Sequence, residues 1–248
     1  MLSGSDTNKK MAGEEAVNYI EDGMIVGLGS GSTVNFMLKK LGERVKEGLK
    51  VKGIPTSIKT ERLARELGIP LIESVNIERI DLAIDGADEV DNDLHLLKGG
   101  GGSLVREKIV DEASDKLIII IDGLKKVSHL GAFSLPIEIV PFGWKLTEIQ
   151  IKKLGGIPTL RKKNDEIFVS DNGNFILDCD FGQITDPQQL HYKLKLLTGV
   201  VETGLFVSIT DKVIIGRNSR VDVLHRSHSD MEADLESTSL LHRRNYSE

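Results

Sequence analysis

The chain alternates short apolar runs with amphipathic stretches, and glycine-rich or acidic turns separate them. Apolar residues recur at helical spacing after residue 33, at Val34, Met37, Leu38, Leu41 and Val45. Compact apolar runs predict strands at residues 24–28, 51–54, 70–72, 81–84, 117–121 and 212–216. The continuous run at 117–121 is typical of a strand buried on both faces of a parallel sheet. Alternation of strands with helices predicts a doubly wound α/β sheet.

A different pattern follows residue 126. The predicted order is strand, helix, strand, strand, helix, strand, which indicates a small α+β domain of the split-βαβ, ferredoxin-like type. Asp186 and Pro187 have the residue types of a helix cap and a first helical position. The turn Asp-Asn-Gly-Asn at 171–174 predicts a hairpin between its flanks. The six elements are predicted at residues 136–141, 144–154, 167–169, 175–177, from 187 onward, and 200–207.

These patterns predict an α/β protein with two domains. A Rossmann-like, mostly parallel sheet occupies residues 1–129 and 205–217, and a second, smaller α+β domain occupies residues 130–204. A short helix at 12–20 precedes the first strand. Residues 218–248 are polar and lack clear periodicity, so we expect a mostly loose tail, with one candidate helix around 231–235.

Composition narrows the classes of partner. The 248 residues carry a net charge of −6, which argues against nucleic acid or an anionic membrane surface as a partner. One cysteine excludes a disulfide within the chain, and six scattered histidines without an HExxH pair argue against structural zinc. No apolar run is long enough to span a membrane, and the N-terminus lacks a signal-peptide core. We therefore expect a cytoplasmic protein.

The chemistry-bearing residues concentrate between residues 81 and 107. A strand-like run ends at Asp85, and Asp88 follows three residues later. A second apolar run ends at Lys98, after which four glycines lead into a helix that bears Glu107. Ligands of α/β proteins bind beyond the carboxyl ends of the strands, so we predict a small-molecule site here.

These side chains suggest proton transfer. Lys98 would offer a positive charge to a developing oxyanion, and Glu107 would act as a base that the helix dipole and Lys98 keep ionised. Asp85 and Asp88 have three interpretations: sugar-hydroxyl binding or proton transfer, a solvated turn, or a magnesium site that the nearby lysine disfavours.

The turn GLGSGST at 27–33 joins a predicted strand to a predicted helix. Its backbone N–H groups and hydroxyls fit a phosphate cradle, and the alternative is a turn that lets strand and helix pack. It differs from a dinucleotide fingerprint because Val34 takes the place of the third glycine. Lys125 follows the isoleucine-rich strand, either as a ligand contact or as a surface lysine.

The motifs GLGSGST, DGADEVD and KGGGGSLVREK, followed by Lys125, resemble the type A ribose-5-phosphate isomerases in order and spacing. The resemblance runs from about residue 10 to residue 216. It implies interconversion of D-ribose 5-phosphate and D-ribulose 5-phosphate without metal or cofactor, in a Rossmann-like fold that forms a homodimer or homotetramer. It places the base on Glu107. The implied substrate-binding residues are Ser30, Gly31, Ser32, Thr33, Asp85, Gly86, Ala87, Asp88, Lys98, Gly99, Gly100, Gly101 and Lys125.

For this chemistry we expect Asp85 to open the furanose ring and Asp88 to bind hydroxyls. The phosphate would lie against Ser32 and Thr33, with help from Lys10. Two alternatives are weighed against this one. A sugar-phosphate-binding regulatory module without catalysis would carry a helix-turn-helix ahead of this architecture, and about twenty residues precede the first strand here. An enzyme of amino-sugar phosphates would place a ring-opening histidine near the site, where the candidate loops hold only His95.

Overall fold

The structure is a computed structural model that describes residues 3–73, 75, 77, 79–217 and 220–226. None of the described helices combines the length and the apolar character that crossing a bilayer requires. The first half contains, in chain order, α1 (Gly4–Ala16), β1 (Ile25–Leu28), α2 (Ser32–Lys46), β2 (Lys52–Pro55), α3 (Ile58–Glu66), β3 (Leu82–Gly86), β4 (Glu89–Val90), β5 (Leu96–Leu97), α4 (Leu104–Glu112) and β6 (Leu117–Asp122). The second half contains β7 (Leu135–Ile139), α5 (Trp144–Lys153), β8 (Ile157–Leu160), β9 (Lys162–Lys163), β10 (Glu166–Ile167), β11 (Phe175–Asp180), α6 (Pro187–Lys195), β12 (Val200–Thr203), β13 (Leu205–Phe206), β14 (Lys212–Arg217) and β15 (Arg220–His225).

The main sheet has six strands in the order β15-β14-β6-β3-β1-β2. Neighbours pair in parallel, except that β14 and β15 are antiparallel. Every residue of β6 is buried, which confirms the prediction from the isoleucine run. The buried apolar residues form separate clusters. One cluster includes Met37 and Leu38 of α2, and another includes Leu104 and Val110 of α4. The α/β fold class is therefore confirmed.

The strand order reverses direction at β1. From β1 the chain moves to β2 on one side and then to β3 on the other. Such a reversal leaves a crevice beyond the carboxyl ends of the two central strands, and ligands of open α/β sheets bind there. The turn after β1 and residues 85–88 at the end of β3 therefore face each other.

A second sheet has four antiparallel strands in the order β12-β7-β11-β8. In sequence order these are the fourth, first, third and second strands, with α5 and α6 as the two crossovers, which confirms the split-βαβ order. The second strand was misplaced, because it is β8 at 157–160 rather than residues 167–169; residues 166–167 form β10, which pairs with β9 in a separate two-stranded sheet. Asp186 caps α6 by accepting a hydrogen bond from the Gln189 backbone at 2.8 Å, and Pro187 follows as expected. The boundaries of this domain at residues 130 and 204 stay a prediction.

Two further strand predictions were wrong. The run 200–207 is not one strand, because it divides at Gly204 into β12 in the small sheet and β13, which pairs with β5. The Gly204 backbone bonds to Lys98 and Pro136, and a Cβ at this position would lie 2.3 Å from the Lys98 carbonyl oxygen. Residues 70–72 form a single bridge between Leu71 and Gly53 rather than a strand.

Three local predictions also differ from the structure. Helix α1 begins at Gly4 rather than at residue 12, since the Ser3 hydroxyl accepts a hydrogen bond from the Asp6 backbone. The turn at 171–174 forms, but its flanks share only the bridge between Val169 and Phe175, because β11 pairs with β7 and β8. Part of the expected loose tail is β15; residues 227–248, with the candidate helix around 231–235, lie outside the described residues.

Candidate active site

A cavity of about 260 Å³ lies at the carboxyl ends of the central strands. Residues 30–33, 86–88 and 98–101 line it, together with Glu107 and Lys125. The folded chain thus brings together four segments that are distant in sequence, and all of these lining residues were predicted as site residues. The volume and the mixture of backbone groups, hydroxyls and charges suit a small polar ligand.

Two predicted site residues do not line the cavity. Asp85 is fully buried behind it. The Lys10 side chain is about half exposed on α1, where its ammonium lies 3.7 Å from Glu14. The sequence suggested Lys10 for its charge, but the winding of α1 directs that charge to a neighbour one helical turn away.

One end of the cavity is formed by the start of α2. Gly31 precedes Ser32 with φ of 117°, a value in the region that glycine adopts without strain. No side chain caps this helix, so its first N–H groups remain available at the positive end of the helix dipole. Gly29 is required for a different reason, because a Cβ there would lie 2.1 Å from Oδ1 of Asp85. This end of the cavity fits an anion such as a phosphate group.

Buried hydroxyls support this turn from below. The Ser30 hydroxyl lies 2.9 Å from that of Thr56, 2.8 Å from that of Ser57 and 3.0 Å from that of Thr60. Thr60 in turn donates to the Gly29 carbonyl at 2.9 Å. These contacts hold the turn after β1 on the start of α3.

Lys98 forms the centre of a buried ion cluster with Asp85 and Glu107. Its Nζ atom lies 2.9 Å from Oδ2 of Asp85 and 3.5 Å from Oε2 of Glu107, and it also donates to the Gly86 carbonyl. Oδ1 of Asp85 accepts hydrogen bonds from the backbone N–H groups of Ser30 at 2.9 Å and Gly86 at 2.6 Å. Asp85 therefore acts as the counter-ion of Lys98 and joins the loops after β1 and β3.

The cluster shifts the pKa values of its members. Burial raises the pKa of Glu107 to about 8; Lys98 opposes this shift, while Asp85 and Asp88 add to it. Desolvation therefore has a larger effect on the pKa of Glu107 than Lys98 has, whereas the sequence-based expectation weighed only the helix dipole and Lys98. Burial lowers the pKa of Lys98, but the neighbouring acidic groups, Asp85 above all, more than offset it, so that Lys98 remains an ammonium.

Both carboxylates of the β3 loop are already engaged by donors of the protein. Oδ2 of Asp88 accepts a hydrogen bond from the Gly100 N–H at 2.8 Å, and the Lys98 ammonium takes the position beside Asp85 that a metal ion would need. The magnesium interpretation is therefore disfavoured by the charge already present there.

Comparison with known proteins decides the family. The family model for ribose 5-phosphate isomerase A (phosphoriboisomerase A) matches residues 52–220. A ribose-5-phosphate isomerase A of Bacillus cereus is 56% identical over 217 residues, which cover 87% of this chain and 99% of the relative. This chain belongs to the ribose 5-phosphate isomerase A family. A second relative, ribose-5-phosphate isomerase A 2 of Oceanobacillus iheyensis, is 50% identical and covers 89% of this chain and 99% of its own length.

Solved structures of the ribose 5-phosphate isomerase A family have the same fold. A D-ribose-5-phosphate isomerase in complex with phospho-erythronic acid superposes with a TM-score of 0.88 at 38% identity, over 90% of this chain and all of the other. The ribose 5-phosphate isomerase from Plasmodium falciparum gives a TM-score of 0.85 at 42% identity, with the same coverage.

Sequence reasoning missed Arg161, which braces the glycine segment of the isomerase fold. Its Nη1 atom donates to the Gly99 carbonyl at 2.8 Å, while Nε donates to Asp178 at 2.9 Å. Arg161 lies 62 residues from Gly99 in the chain, in the small domain, so no local pattern connects them. It fixes a segment that lines the cavity.

Lys125 completes the cavity wall. It ends a short 3₁₀ turn after β6, where the Asp122 side chain accepts a hydrogen bond from the Leu124 backbone at 3.0 Å. Its ammonium donates to the Ala87 carbonyl. Burial lowers the pKa of Lys125, although Asp88 and Asp122 oppose the shift. Lys125 thus lines the cavity rather than lying on the open surface, and its contact with a ligand stays a prediction.

Proposed function

We propose that this protein interconverts D-ribose 5-phosphate and D-ribulose 5-phosphate through an enediolate, with Glu107 as the base. The observation that carries the proposal is the position of the Glu107 carboxyl group. It lines the cavity, is almost fully buried, and lies 3.5 Å from an ammonium that can hold an adjacent negative oxygen. Proton transfer by one positioned side chain next to a fixed cation is the minimum that aldose–ketose isomerisation needs.

Each proton that moves in the proposed reaction has a stated donor and acceptor. Ionised Glu107 removes the proton from C2 of the open-chain aldose, and the electron pair moves through C1 to the carbonyl oxygen. Lys98 and the N–H groups of Gly99 and Gly101 stabilise the negative charge on that oxygen, while the Gly100 N–H remains bonded to Asp88. A proton passes from the C2 hydroxyl to the C1 oxygen, and Glu107 returns its proton to C1, which leaves a ketone at C2.

The phosphate group is proposed to lie at the start of α2. The uncapped N–H groups, the hydroxyls of Ser32 and Thr33, and the dipole end of α2 form a site for a dianion. Lys10 does not contribute to this proposal, since its ammonium pairs with Glu14 outside the cavity wall. Binding energy from the phosphate would then position C1 and C2 against Glu107.

Ring opening needs a group that exchanges a proton with the sugar. We expected Asp85 in this role, but Asp85 reaches the cavity only through Lys98. Asp88 lines the cavity and keeps one oxygen bonded to Gly100. We therefore propose that Asp88 takes the proton of the C1 hydroxyl and delivers it to the ring oxygen as the bond from C1 to that oxygen breaks, while Asp85 keeps Lys98 charged.

The two alternatives have weaker support. A binding module without catalysis would not need a buried glutamate paired with a lysine at the cavity wall. An amino-sugar enzyme would need a histidine at the cavity, but the lining includes none, and Nδ1 of His95 accepts a hydrogen bond from the Ser208 backbone at 3.2 Å. The homo-oligomer and the cytoplasmic location stay predictions.

A coupled assay tests this function. Purified full-length protein is supplied with D-ribose 5-phosphate, and D-ribulose 5-phosphate is measured with and without EDTA. We expect turnover that the chelator does not change, because the proposed charges and protons all come from side chains and backbone. Saturable binding without turnover would favour the regulatory module, and loss of turnover in EDTA would contradict the acid–base mechanism.

A further inference from the structure

Asp111 is a second buried acid behind the cavity that the proposed reaction leaves unused. It lies on α4, four residues after Glu107, so that both carboxyl groups lie on the same side of the helix. Asp111 is only 2% exposed, and among the described residues no donor forms a hydrogen bond to either of its carboxyl oxygens. A buried ionised carboxylate without donors is strongly disfavoured.

The charges around Asp111 make ionisation still less favourable. The charged groups with the largest effects on its pKa are Asp85 of β3, Lys98 after β5 and Glu107 of its own helix. With all three carboxyl groups ionised, one ammonium would neutralise only one of three negative charges. Burial raises the pKa of Asp111 well above its ordinary value, and the charge on Asp85 raises it further.

Asp85 offers the matching acceptor. Helix α4, which carries Asp111, packs against β3, which carries Asp85, and Asp85 has the largest charge effect on the pKa of Asp111. Oδ1 of Asp85 already accepts two backbone hydrogen bonds, whereas Oδ2 has the Lys98 ion pair and no hydrogen bond. If Asp111 carried one proton, its hydroxyl group could donate a hydrogen bond to Oδ2 of Asp85, and both carboxyl groups would then have a partner.

We propose that Asp111 is a neutral carboxylic acid that donates a hydrogen bond to Asp85, and that it is a positioning residue of the isomerase site. The inference about catalysis rests on the proposed function. The shared proton holds Asp85 in place and draws electron density from it. Lys98 is then held less tightly by Asp85 and is more available to the oxygen that becomes negative. Because Asp111 is neutral, it does not add a third negative charge to those of Asp85 and Asp88 near Glu107.

Two variants separate a neutral Asp111 from an ionised one. In Asp111→Asn the amide keeps a neutral donor, so we expect kcat and the pH profile of kcat/KM to stay within about twofold of the parent. In Asp111→Leu the donor is lost, so we expect kcat to fall about fivefold or more, with the rise of kcat/KM shifted to higher pH and KM little changed. Glu112→Gln, on the same helix but facing Lys108 and Glu202, is the matched control and should leave the profile unchanged.

Two results would overturn the proposal. A rise in kcat/KM that moves to clearly lower pH in Asp111→Asn would show that a negative charge had been removed. An Asp111→Leu enzyme with the parent's kcat and pH profile would show that the hydrogen bond does not matter.

A readout without substrate separates this inference from the proposed function. Infrared difference spectra at neutral pH should contain a protonated-carboxyl band that Asp111→Asn and Asp111→Leu both lack and Glu112→Gln retains. Absence of that change would contradict the neutral acid even if the enzyme turns over. If both Asp111 variants lose the band but the protein shows no turnover, the neutral Asp111 is supported and the isomerase function is rejected.

Discussion

The ammonium of Lys98 lies 3.5 Å from Oε2 of Glu107, and both side chains are almost fully withdrawn from water. The distance is short enough for strong attraction but longer than the 2.9 Å contact between Lys98 and Asp85. Lys98 is thus held by Asp85 while it remains near the Glu107 carboxyl group. A sugar oxygen that becomes negative between them would find a cation already in place.

Replacing Glu107 by glutamine removes the base while keeping its shape. We expect kcat to fall by about 10²- to 10⁴-fold, because the amide cannot accept the C2 proton. The variant should fold normally and should lose less stability than the parent as pH rises from 4.5 toward 8. Over that range the folded parent holds a proton that its unfolded chain has released. Steady-state kinetics and thermal melts at several pH values measure both effects, and an enzyme with most of its kcat would remove Glu107 as the base.

The rate should increase with pH because the reaction needs ionised Glu107. Its pKa of about 8 in the free protein predicts that kcat/KM rises through that pH and then levels off. The profile is measured with saturating coupling enzyme at constant ionic strength. A kcat/KM that is flat from about pH 6 to about pH 9 would mean that the base is already ionised in the empty site.

Replacing Lys98 by methionine should affect both stability and catalysis. Asp85 would be left buried without its cation, which costs about 3–5 kcal/mol of folding free energy. Loss of the charge near the developing oxyanion should also lower kcat by about 10²- to 10³-fold. Urea denaturation and kinetics of the folded fraction test this. Lys152→Met, an exposed surface control, should change stability by less than about 0.5 kcal/mol.

A substitution at Gly31 tests the phosphate end. Gly31→Ala introduces a side chain where φ is 117° and should displace the N–H groups at the start of α2. We expect KM for D-ribose 5-phosphate to rise and inhibition by inorganic phosphate to weaken. Gly48→Ala is the matched control, since Gly48 has φ of 115° beyond the end of α2. Equal effects of the two variants on KM would mean that backbone strain alone, rather than anion binding, is being measured.

Arg161→Lys tests the brace on the glycine segment. A lysine can keep one charge contact but cannot contact Asp178 and the Gly99 carbonyl with separate nitrogens of a planar fork. Small displacements of the oxyanion donors are costly, so we expect kcat/KM to fall by about 10- to 100-fold. Kinetics together with amide hydrogen exchange at residues 99–101 measure the loss. Arg65→Lys, an exposed pair with Glu61, should leave both unchanged.

Much of the site could be predicted because its parts are local in sequence. The glycine turn before α2, the isoleucine run of β6, and Lys98, its glycines and Glu107 within ten residues each carry their own pattern. These patterns are informative because local geometry determines them. Glycine in a turn allows another group to approach the backbone closely, and apolar residues at helical spacing indicate the buried face of a helix. Alternating elements then determine a doubly wound sheet with its site at the strand ends.

Other features were decided only by the tertiary structure. The division of 200–207 at Gly204 depends on a backbone approach from Lys98, and the support of Gly99 depends on Arg161 in the other domain. The raised pKa of Glu107 follows from burial and from carboxylates brought together by separate elements. Desolvation and charge pairing arise only when distant segments pack, so residue types and spacing along the chain do not contain them.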